Sequence, residues 1–213
     1  YAPAVRLAEW VLELRVKVYG EEHSRTLDSK SKLAWLYKLQ GQNEAAGKLF
    51  QHALESCERI LGEEHPSTLS IVGGLAGLYK EQGRLEDSEH LYLRSLECRQ
   101  RTLGPDHPST LISVNNLAIL YEIQVRYKES EALYARALEA CLRTLGPEHP
   151  STLITMNDLA CLLDSMGRAE ESKSMHQQTL QIRERVLGPE HPRTLDSVNN
   201  LASLYHDLSL IHI

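Results

Sequence analysis

Residues 104–121 read Gly104-Pro-Asp-His-Pro-Ser-Thr-Leu-Ile-Ser-Val-Asn-Asn-Leu-Ala-Ile-Leu-Tyr121, and this stretch recurs along the chain. Its opening motif, Gly-x-x-His followed by Pro or Ser, also begins at Gly20, Gly62, Gly146 and Gly188, always 42 residues apart. Each copy carries Leu-Ala at the same later position. Five copies without an insertion indicate stacked repeats, because no copy can bury its apolar face alone.

Each copy predicts a first helix, called A here. Pro108 suits a first helical turn, where its missing N–H would be unpaired anyway. The apolar positions that follow have helical spacing; they are Leu111, Val114, Leu117, Ala118 and Tyr121. Helix A should end near Gln124. The next turn has glycine in three other copies but Val125 here, so we expect an altered or strained turn.

A second helix, called B, is predicted from Tyr127 to Leu145. Its expected apolar stripe contains Ala132, Leu133, Ala135, Ala137, Leu138 and Cys141. Gly146 should close it as a left-handed C-cap, and Pro147 prevents continuation.

The 42-residue period divides the chain into six segments. Residues 1–19 are predicted as a helix B, and 20–61, 62–103, 104–145 and 146–187 as complete A–B pairs. Residues 188–213 should hold a helix A over about 192–208 and a tail. The apolar tail, Ser209 to Ile213, leaves the repeat pattern, whereas capping repeats carry a polar outer face. We therefore expect end-to-end self-association.

Charge and composition exclude several classes of function. The net charge is -6, with no Lys/Arg run longer than two, which argues against nucleic acid and anionic membranes as partners. No apolar stretch approaches the ~18 residues of a membrane span. Cys57, Cys98, Cys141 and Cys161 show no CxxC spacing, which favours small buried apolar residues and a reducing, cytoplasmic location.

Leu-Ala-x-x-Tyr in helix A, with Tyr134 and Ala137 in helix B, resembles the tetratricopeptide repeat. The 42-residue period with Leu-Gly-x-x-His-Pro and Asn-Asn-Leu-Ala resembles the long subtype of kinesin light chains. The copies at Ser174 and Val186 resemble the repeat tails of fungal nucleotide-binding immune-type receptors, although the chain has no GxxxxGK[ST] loop. The resemblance implies an all-α, right-handed superhelical solenoid whose A helices line a concave groove for a protein or extended peptide.

Two features could carry chemistry. His23, His65, His107, His149 and His191 recur at one repeat position. Stacked helices lie about 8–10 Å apart, so equivalent histidines cannot share one ion; hydrogen bonding near a helix start is the favoured interpretation. No HExxH, GxSxG or GxGxxG motif occurs, so we expect no enzyme activity, metal or cofactor.

The predicted groove lies on helix A opposite its core stripe. Ile112, Ile119 and Ile123 are apolar where water would otherwise touch them, which indicates a binding face, unless a neighbouring loop or helix covers them. The candidate groove residues are Trp35, Lys38, Leu39, Gly73, Gly77, Lys80, Ile112, Asn115, Asn116, Ile119, Ile123, Asn157 and Asn199.

Three further expectations concern this face. Gly73, Gly74 and Gly77 should leave a hollow between Trp35 and Ile119; the alternative is that these glycines arose by neutral drift and have no role. In the kinesin light chain-like repeats, groove asparagines bind a peptide backbone; a role between helices is the alternative. The groove should be basic toward its N-terminal end and acidic toward its C-terminal end. The charged residues are Lys32, Lys38, Lys80, Glu122, Asp158, Asp164, Asp196 and Asp207.

The leading hypothesis is therefore a non-catalytic scaffold for a protein or peptide. The alternative is a structural or oligomerisation segment of a larger multidomain protein, either an adaptor or an immune-type receptor. An enzyme with a composite active site is a distant third.

Overall fold

The computed structural model describes residues 2–211, with side chains described for residues 3–206, and this part is wholly α-helical, without a strand. The tail prediction for Ser209–Ile213 and the Asp207 side chain therefore fall outside the described side chains. The helices are α1 (Ala2–Tyr19), α2 (Ser24–Leu39), α3 (Asn43–Leu61), α4 (Pro66–Glu81), α5 (Leu85–Leu103), α6 (Pro108–Ile123), α7 (Tyr127–Thr144), α8 (Pro150–Ser165), α9 (Ala169–Leu187) and α10 (Pro192–Ile211).

The chain forms two compact units, Tyr1–Gly104 with α1–α5 and Pro105–Ile213 with α6–α10. Even-numbered helices are A helices and odd-numbered helices are B helices. Within each unit, helices consecutive in sequence pack on each other. Successive A helices also touch, α2 with α4 in the first unit and α8 with α10 in the second. The all-α, helix-turn-helix repeat prediction is confirmed.

Each unit has a core of large side chains between small ones. In the first unit, Phe50 is fully buried with Ala46 and Ala53 on the same helix. In the second unit, Tyr134 is fully buried against Ala118 of α6 and Leu162 of α8. Alanines let neighbouring helices approach closely, so one aromatic ring fills the space between several helices.

The recurring histidines cap the A helices. In all five copies the imidazole Nδ1 accepts a hydrogen bond from the backbone N–H two residues later, at 3.1–3.2 Å. A second hydrogen bond holds the loop before each of four A helices. The Thr68 hydroxyl donates to the Gly62 carbonyl at 2.8 Å, and Thr26, Thr152 and Thr194 make the same contact in their copies. The interpretation of these histidines as helix-start residues is confirmed.

The glycines after the B helices differ from the expected left-handed cap. Gly62 has φ 91° and ψ 163°, and Gly188 has nearly the same values. This is not the left-handed helical region but an extended region that only glycine adopts readily. In the third copy, α7 ends one residue early, with Leu145 as its C-cap, and Gly146 again has positive φ, 86°.

The predicted stripe of α7 is partly wrong. Ala137 and Cys141 are buried as expected, but Ala132 and Ala135 are not. The buried face instead includes Ser130, Tyr134 and Ala140. Ser130 is buried because its hydroxyl donates to the carbonyl of Ala118 at 2.9 Å, which satisfies a polar group inside the core.

In each complete repeat, an ion pair joins the end of helix B to the loop before helix A. The arginine in the last turn of each B helix meets an acid in the loop before its A helix: Arg59–Glu22, Arg101–Glu64, Arg143–Asp106 and Arg185–Glu148. The side chains are largely exposed, so solvent screens each pair and its contribution to stability is small.

The A–B turn of the third copy keeps its shape despite losing glycine. Val125 adopts φ 61°, close to the 74–76° of Gly41, Gly83 and Gly167 at the same position. The turn is therefore strained rather than altered, because a β-branched residue is disfavoured in this region.

Val125→Gly should raise the free energy of unfolding by about 1 kcal/mol, since the strain it relieves exceeds the entropy cost of glycine. Urea unfolding followed by circular dichroism would measure the gain. The matched control is Gly83→Val, which introduces the same strain one copy earlier and should lower stability. Equal stabilities of wild type and Val125→Gly would contradict the assignment of strain.

Candidate functional site

The second unit has a cavity of about 190 Å³ on its A-helix side, between α6 and α8. Its walls are mainly apolar, with polar groups at a few points. The lining residues are Pro108, Leu111, Ile112, Asn115, Asn116, Ile119, Cys141, Leu145, Ser151, Ile154, Thr155 and Asp158. The structure thus brings together four of the residues proposed from sequence: Ile112, Asn115, Asn116 and Ile119.

Exposure of the isoleucines differs along α6. Ile112 is 57% exposed although it is large and apolar, whereas Ile119 is half-buried against the core around Tyr134. Ile123 is 49% exposed but does not line the cavity. No neighbouring loop covers Ile112 within the described residues, so it leaves apolar surface available to a partner.

Within the described part of the chain, one acidic side chain, Asp158, lines the cavity, and Glu122 and Cys161 outside the lining are affected by its charge. Burial raises the pKa of Asp158 above its ordinary value, although a hydrogen bond from Asn157 and the charge of Arg183 act against this. Burial, followed by repulsion from Asp158, also raises the pKa of Glu122 on α6. The same two causes, burial first, raise the pKa of the Cys161 thiol to about 11. The predicted acidic character of this part of the chain is therefore concentrated in half-buried carboxyl groups.

The asparagines do not form the expected free row. Asn115 donates through Nδ2 to the Thr155 hydroxyl at 3.0 Å, joining α6 to α8. Asn200 donates to the Asn157 side-chain oxygen at 2.9 Å, joining α10 to α8. Asparagine side chains that were predicted to bind a peptide backbone therefore form hydrogen bonds between neighbouring A helices instead. Asn199 is exposed and lies away from the cavity.

Around Trp35, the A-helix face of the first unit is occupied by its own side chains, although a cavity of about 270 Å³ remains elsewhere between α2 and α4. The Lys38 ammonium lies 4.6 Å from the centre of the Trp35 ring and 2.9 Å from the Glu81 carboxylate. Only 10% of the Lys38 side chain is exposed. The Trp35 ring meets the Phe50 ring edge-on at 6.0 Å. Lys38 is therefore a structural residue, and its charge is already neutralised.

The expected hollow at the glycines is also corrected. A Cβ on Gly74 would lie 2.8 Å from the Phe50 ring and 3.2 Å from Trp35 Nε1, and one on Gly77 would lie 3.1 Å from Lys38 Nζ. Only Gly73 faces open space. Two of the three glycines thus make room for internal packing and not for a ligand.

The basic character of the first unit is weaker than predicted. Lys32 pairs with Asp28 at 2.8 Å, and Lys38 pairs with Glu81. Burial, then repulsion from Lys38, lowers the pKa of Lys80, so this ammonium is half-buried beside another cation. Leu39 stays exposed at the end of α2.

The four cysteines fit a structural role. Cys57, Cys98 and Cys141 are buried and Cys161 is half-buried, as the sequence predicted for small apolar residues. Among the described residues, no three His, Cys, Asp or Glu side chains lie close enough to hold a metal ion. The helices in that part of the chain include none that is long and apolar enough to cross a membrane.

The cavity also includes residues beyond these four. Asp158, which the sequence predicted as an acidic residue of the groove, and Ile154, which stands 42 residues after Ile112, line the wall opposite Ile112. Cys141 and Leu145 come from the α7 side and were not among the candidates from sequence. No local pattern marks Cys141 and Leu145, because their part in the wall depends on how α7 packs beside α6.

Comparisons with known proteins agree with this architecture. A family model described as tetratricopeptide repeat matches residues 67–128, 114–184 and 165–209, and a second model of that description matches residues 26–67. No curated protein sequence matches the chain.

Solved structures show the same fold. A crystal structure of nearly identical TPR-like repeats from a proposed kinesin light chain of Podosopora anserina, in a single-substitution form, is 28% identical over 87% of this chain and 88% of that chain, with a TM-score of 0.73. BtubC (BKLC) from P. vanneervenii is 23% identical over 98% of this chain and 82% of its own, with a TM-score of 0.78. The apo form of RapI is 16% identical over 85% and 48%, with a TM-score of 0.67. The first of these supports the kinesin light chain-like form of the repeat.

Proposed function

Because the chain belongs to the tetratricopeptide repeat family, we propose that it is a non-catalytic scaffold that binds a protein or extended peptide on an A-helix face. Proteins of this fold typically mediate protein interactions and are generally not enzymes. A cytoplasmic location, and a relationship to fungal immune-type receptors, are further proposals that rest on the sequence patterns alone.

The observation that carries the proposal is the cavity of the second unit. Its volume of about 190 Å³ is below the roughly 300–1,000 Å³ of pockets that enclose a drug-sized ligand. It suits one large side chain of a partner that lies over α6 and α8. The exposed Ile112 beside it extends the apolar surface available to the same partner.

Ile119→Ser should weaken peptide binding by about tenfold or more, since an apolar anchor buried against this wall contributes roughly 1.5–3 kcal/mol. A binding peptide would be selected from a displayed random library on the wild-type chain, and its affinity for each variant measured by calorimetry.

Ile123→Ser is the matched control, because Ile123 lies on the same helix outside the cavity. It should change the affinity by less than about twofold, as a surface substitution does. Circular dichroism would show that both variants fold. Equal losses from the two variants, or no loss from either, would place binding elsewhere.

Exposed apolar side chains on the first and last helices favour a second candidate, self-association of copies. Helix α1 exposes Leu7 and Trp10. Helix α10 exposes Leu195 and Val198. At the corresponding positions of α8, Leu153 and Met156 are buried. We propose that α10 of one copy can pack on α1 of another, completing a helix pair with one A and one B helix.

Such a contact is heterologous, joining two different surfaces, so it produces rings or open chains. Sedimentation velocity at rising concentration should show assemblies larger than a dimer. Trp10→Glu or Leu195→Glu alone should give monomers, and mixing the two variants should give a dimer only. A monomeric wild-type chain at high concentration would exclude this candidate.

A further inference from the structure

We propose that the cavity between α6 and α8 binds the long basic side chain of a lysine or arginine in the partner, an inference that rests on the proposed function and specifies its ligand. The occupant is thus a basic segment of a protein or peptide. Three observations support this assignment: the shape and lining of the cavity, its unused acceptors and the absence of a neutralising cation among the described lining residues.

The lining matches the two parts of such a side chain. Ile112, Ile119 and Ile154 provide aliphatic walls, and Asp158 supplies a carboxylate. Lysine and arginine place an aliphatic stem along apolar surface while the charged head reaches a polar group. An acidic side chain would meet Asp158 with like charge, and a purely apolar one would bury that carboxylate without a partner.

Two asparagine side chains in the cavity wall have acceptor oxygens without a donor. The Asn115 amide is oriented by its bond to Thr155, whose own hydroxyl donates to the Ser151 carbonyl at 3.1 Å. The Asn115 side-chain oxygen is buried and has no hydrogen-bond partner within the described residues. Asn116 also lines the cavity, and its side chain forms no hydrogen bond within the described part of the chain. Both asparagines belong to the same cavity lining as Asp158.

No cation of the described chain neutralises Asp158. None of the described residues that line the cavity is Lys, Arg or His. The charge of Arg183 acts on Asp158, but its guanidinium donates to the carbonyls of Arg193 and Leu153 and to the Ser197 hydroxyl. Asp158 forms no ion pair within residues 3–206. The raised pKa of Asp158 agrees with a desolvated carboxylate that has a hydrogen bond from Asn157 but no cationic partner in the cavity wall.

The test uses the full chain labelled with ¹³C at the isoleucine δ1 methyl groups. The probes are n-pentylamine, 1-pentanol and pentanoate, which share a five-carbon stem and differ in the charge of the head group. We expect the amine to shift the signals of Ile112, Ile119 and Ile154 saturably, and to leave Ile60 and Ile123 outside the cavity unchanged. The amine should bind roughly fivefold more tightly than the alcohol, the difference that a partly exposed ion pair provides, and pentanoate should not bind.

Asp158→Asn should reduce the affinity of the amine to that of the alcohol and leave the alcohol unaffected. Asp164→Asn is the matched control, since Asp164 lies on the same helix outside the cavity; the preference for the amine should survive. Equal affinities of amine and alcohol in the wild type, or a preference that persists in Asp158→Asn, would overturn the proposal. So would unchanged signals of the three isoleucines. A peptide that still depends on Ile119 would then show that the scaffold function holds and only the basic ligand is wrong.

Discussion

Gly74→Ala should lower the melting temperature of the protein, whereas Gly73→Ala, one residue earlier in α4, should raise it. Both changes replace a helical glycine, so both gain about 0.5–1 kcal/mol of helix propensity. At Gly74 the new Cβ would lie 2.8 and 2.9 Å from two carbons of the fully buried Phe50 ring. Overpacking of this kind costs about 1–3 kcal/mol, which exceeds the gain.

At Gly73 nothing lies within 4 Å of the added Cβ, so the gain in propensity is retained. Thermal unfolding of the two variants and the wild type in the same buffer would measure the decrease in melting temperature for Gly74→Ala and the increase for Gly73→Ala. If both variants were stabilised, Phe50 and Trp35 would have to move aside cheaply, and the close packing described for the first unit would be wrong.

The largest loss of stability is expected for Tyr134→Ala, about 3–5 kcal/mol, because this removes an aromatic ring from the centre of the second unit. The ring contacts helices on both sides, so the vacated space cannot close without moving α6 or α8. Calorimetric unfolding would detect the loss as a lower melting temperature.

Tyr134→Phe is the matched variant and should stabilise the protein by up to about 1 kcal/mol. The Tyr134 hydroxyl is buried and has no hydrogen-bond partner within the described residues. Burial, followed by the negative charges of Asp158 and Glu122, raises its pKa above the ordinary value. A loss of more than about 1 kcal/mol in Tyr134→Phe would show that the hydroxyl has a partner in solution.

The two proposals together restrict the kind of partner. The first unit has neutralised its lysines Lys32 and Lys38 internally, and the second unit retains half-buried carboxyl groups around an apolar cavity. The sequence predicted a ligand with acidic residues at one end and basic residues at the other. The structure supports only the basic part of that ligand, because Lys38 already has Glu81 and Trp35 as partners.

Much of the fold was predictable from the sequence because it depends on short-range chemistry repeated five times. Histidine marks where each A helix begins, with proline after it in four of the five copies, and glycine marks where the B helices end. The strain at Val125 was also predictable, since the other copies show that this turn position requires positive φ. The conformation of Gly62 was not, because sequence patterns do not distinguish between two regions that both favour glycine.

The candidate site was predicted less completely. Helical periodicity placed Ile112 and Ile119 on one face of α6, the face that lines the cavity, since that depends only on about 100° per residue. It could not show that Phe50 and Lys38 reach across to fill the space beside Gly74 and Gly77, because long side chains from a neighbouring helix decide that.

The sequence by itself determined the helices, their order, their caps and the face of helix A that lacks a core stripe. Only the tertiary structure decided which polar groups on that face are already used. Asn115 and Asn157 have the same place in their copies, yet one lines the cavity and the other bonds Asn200. The physical reason is that hydrogen bonds and ion pairs between side chains on different helices depend on distances of about 3–4 Å, which a one-dimensional pattern does not specify.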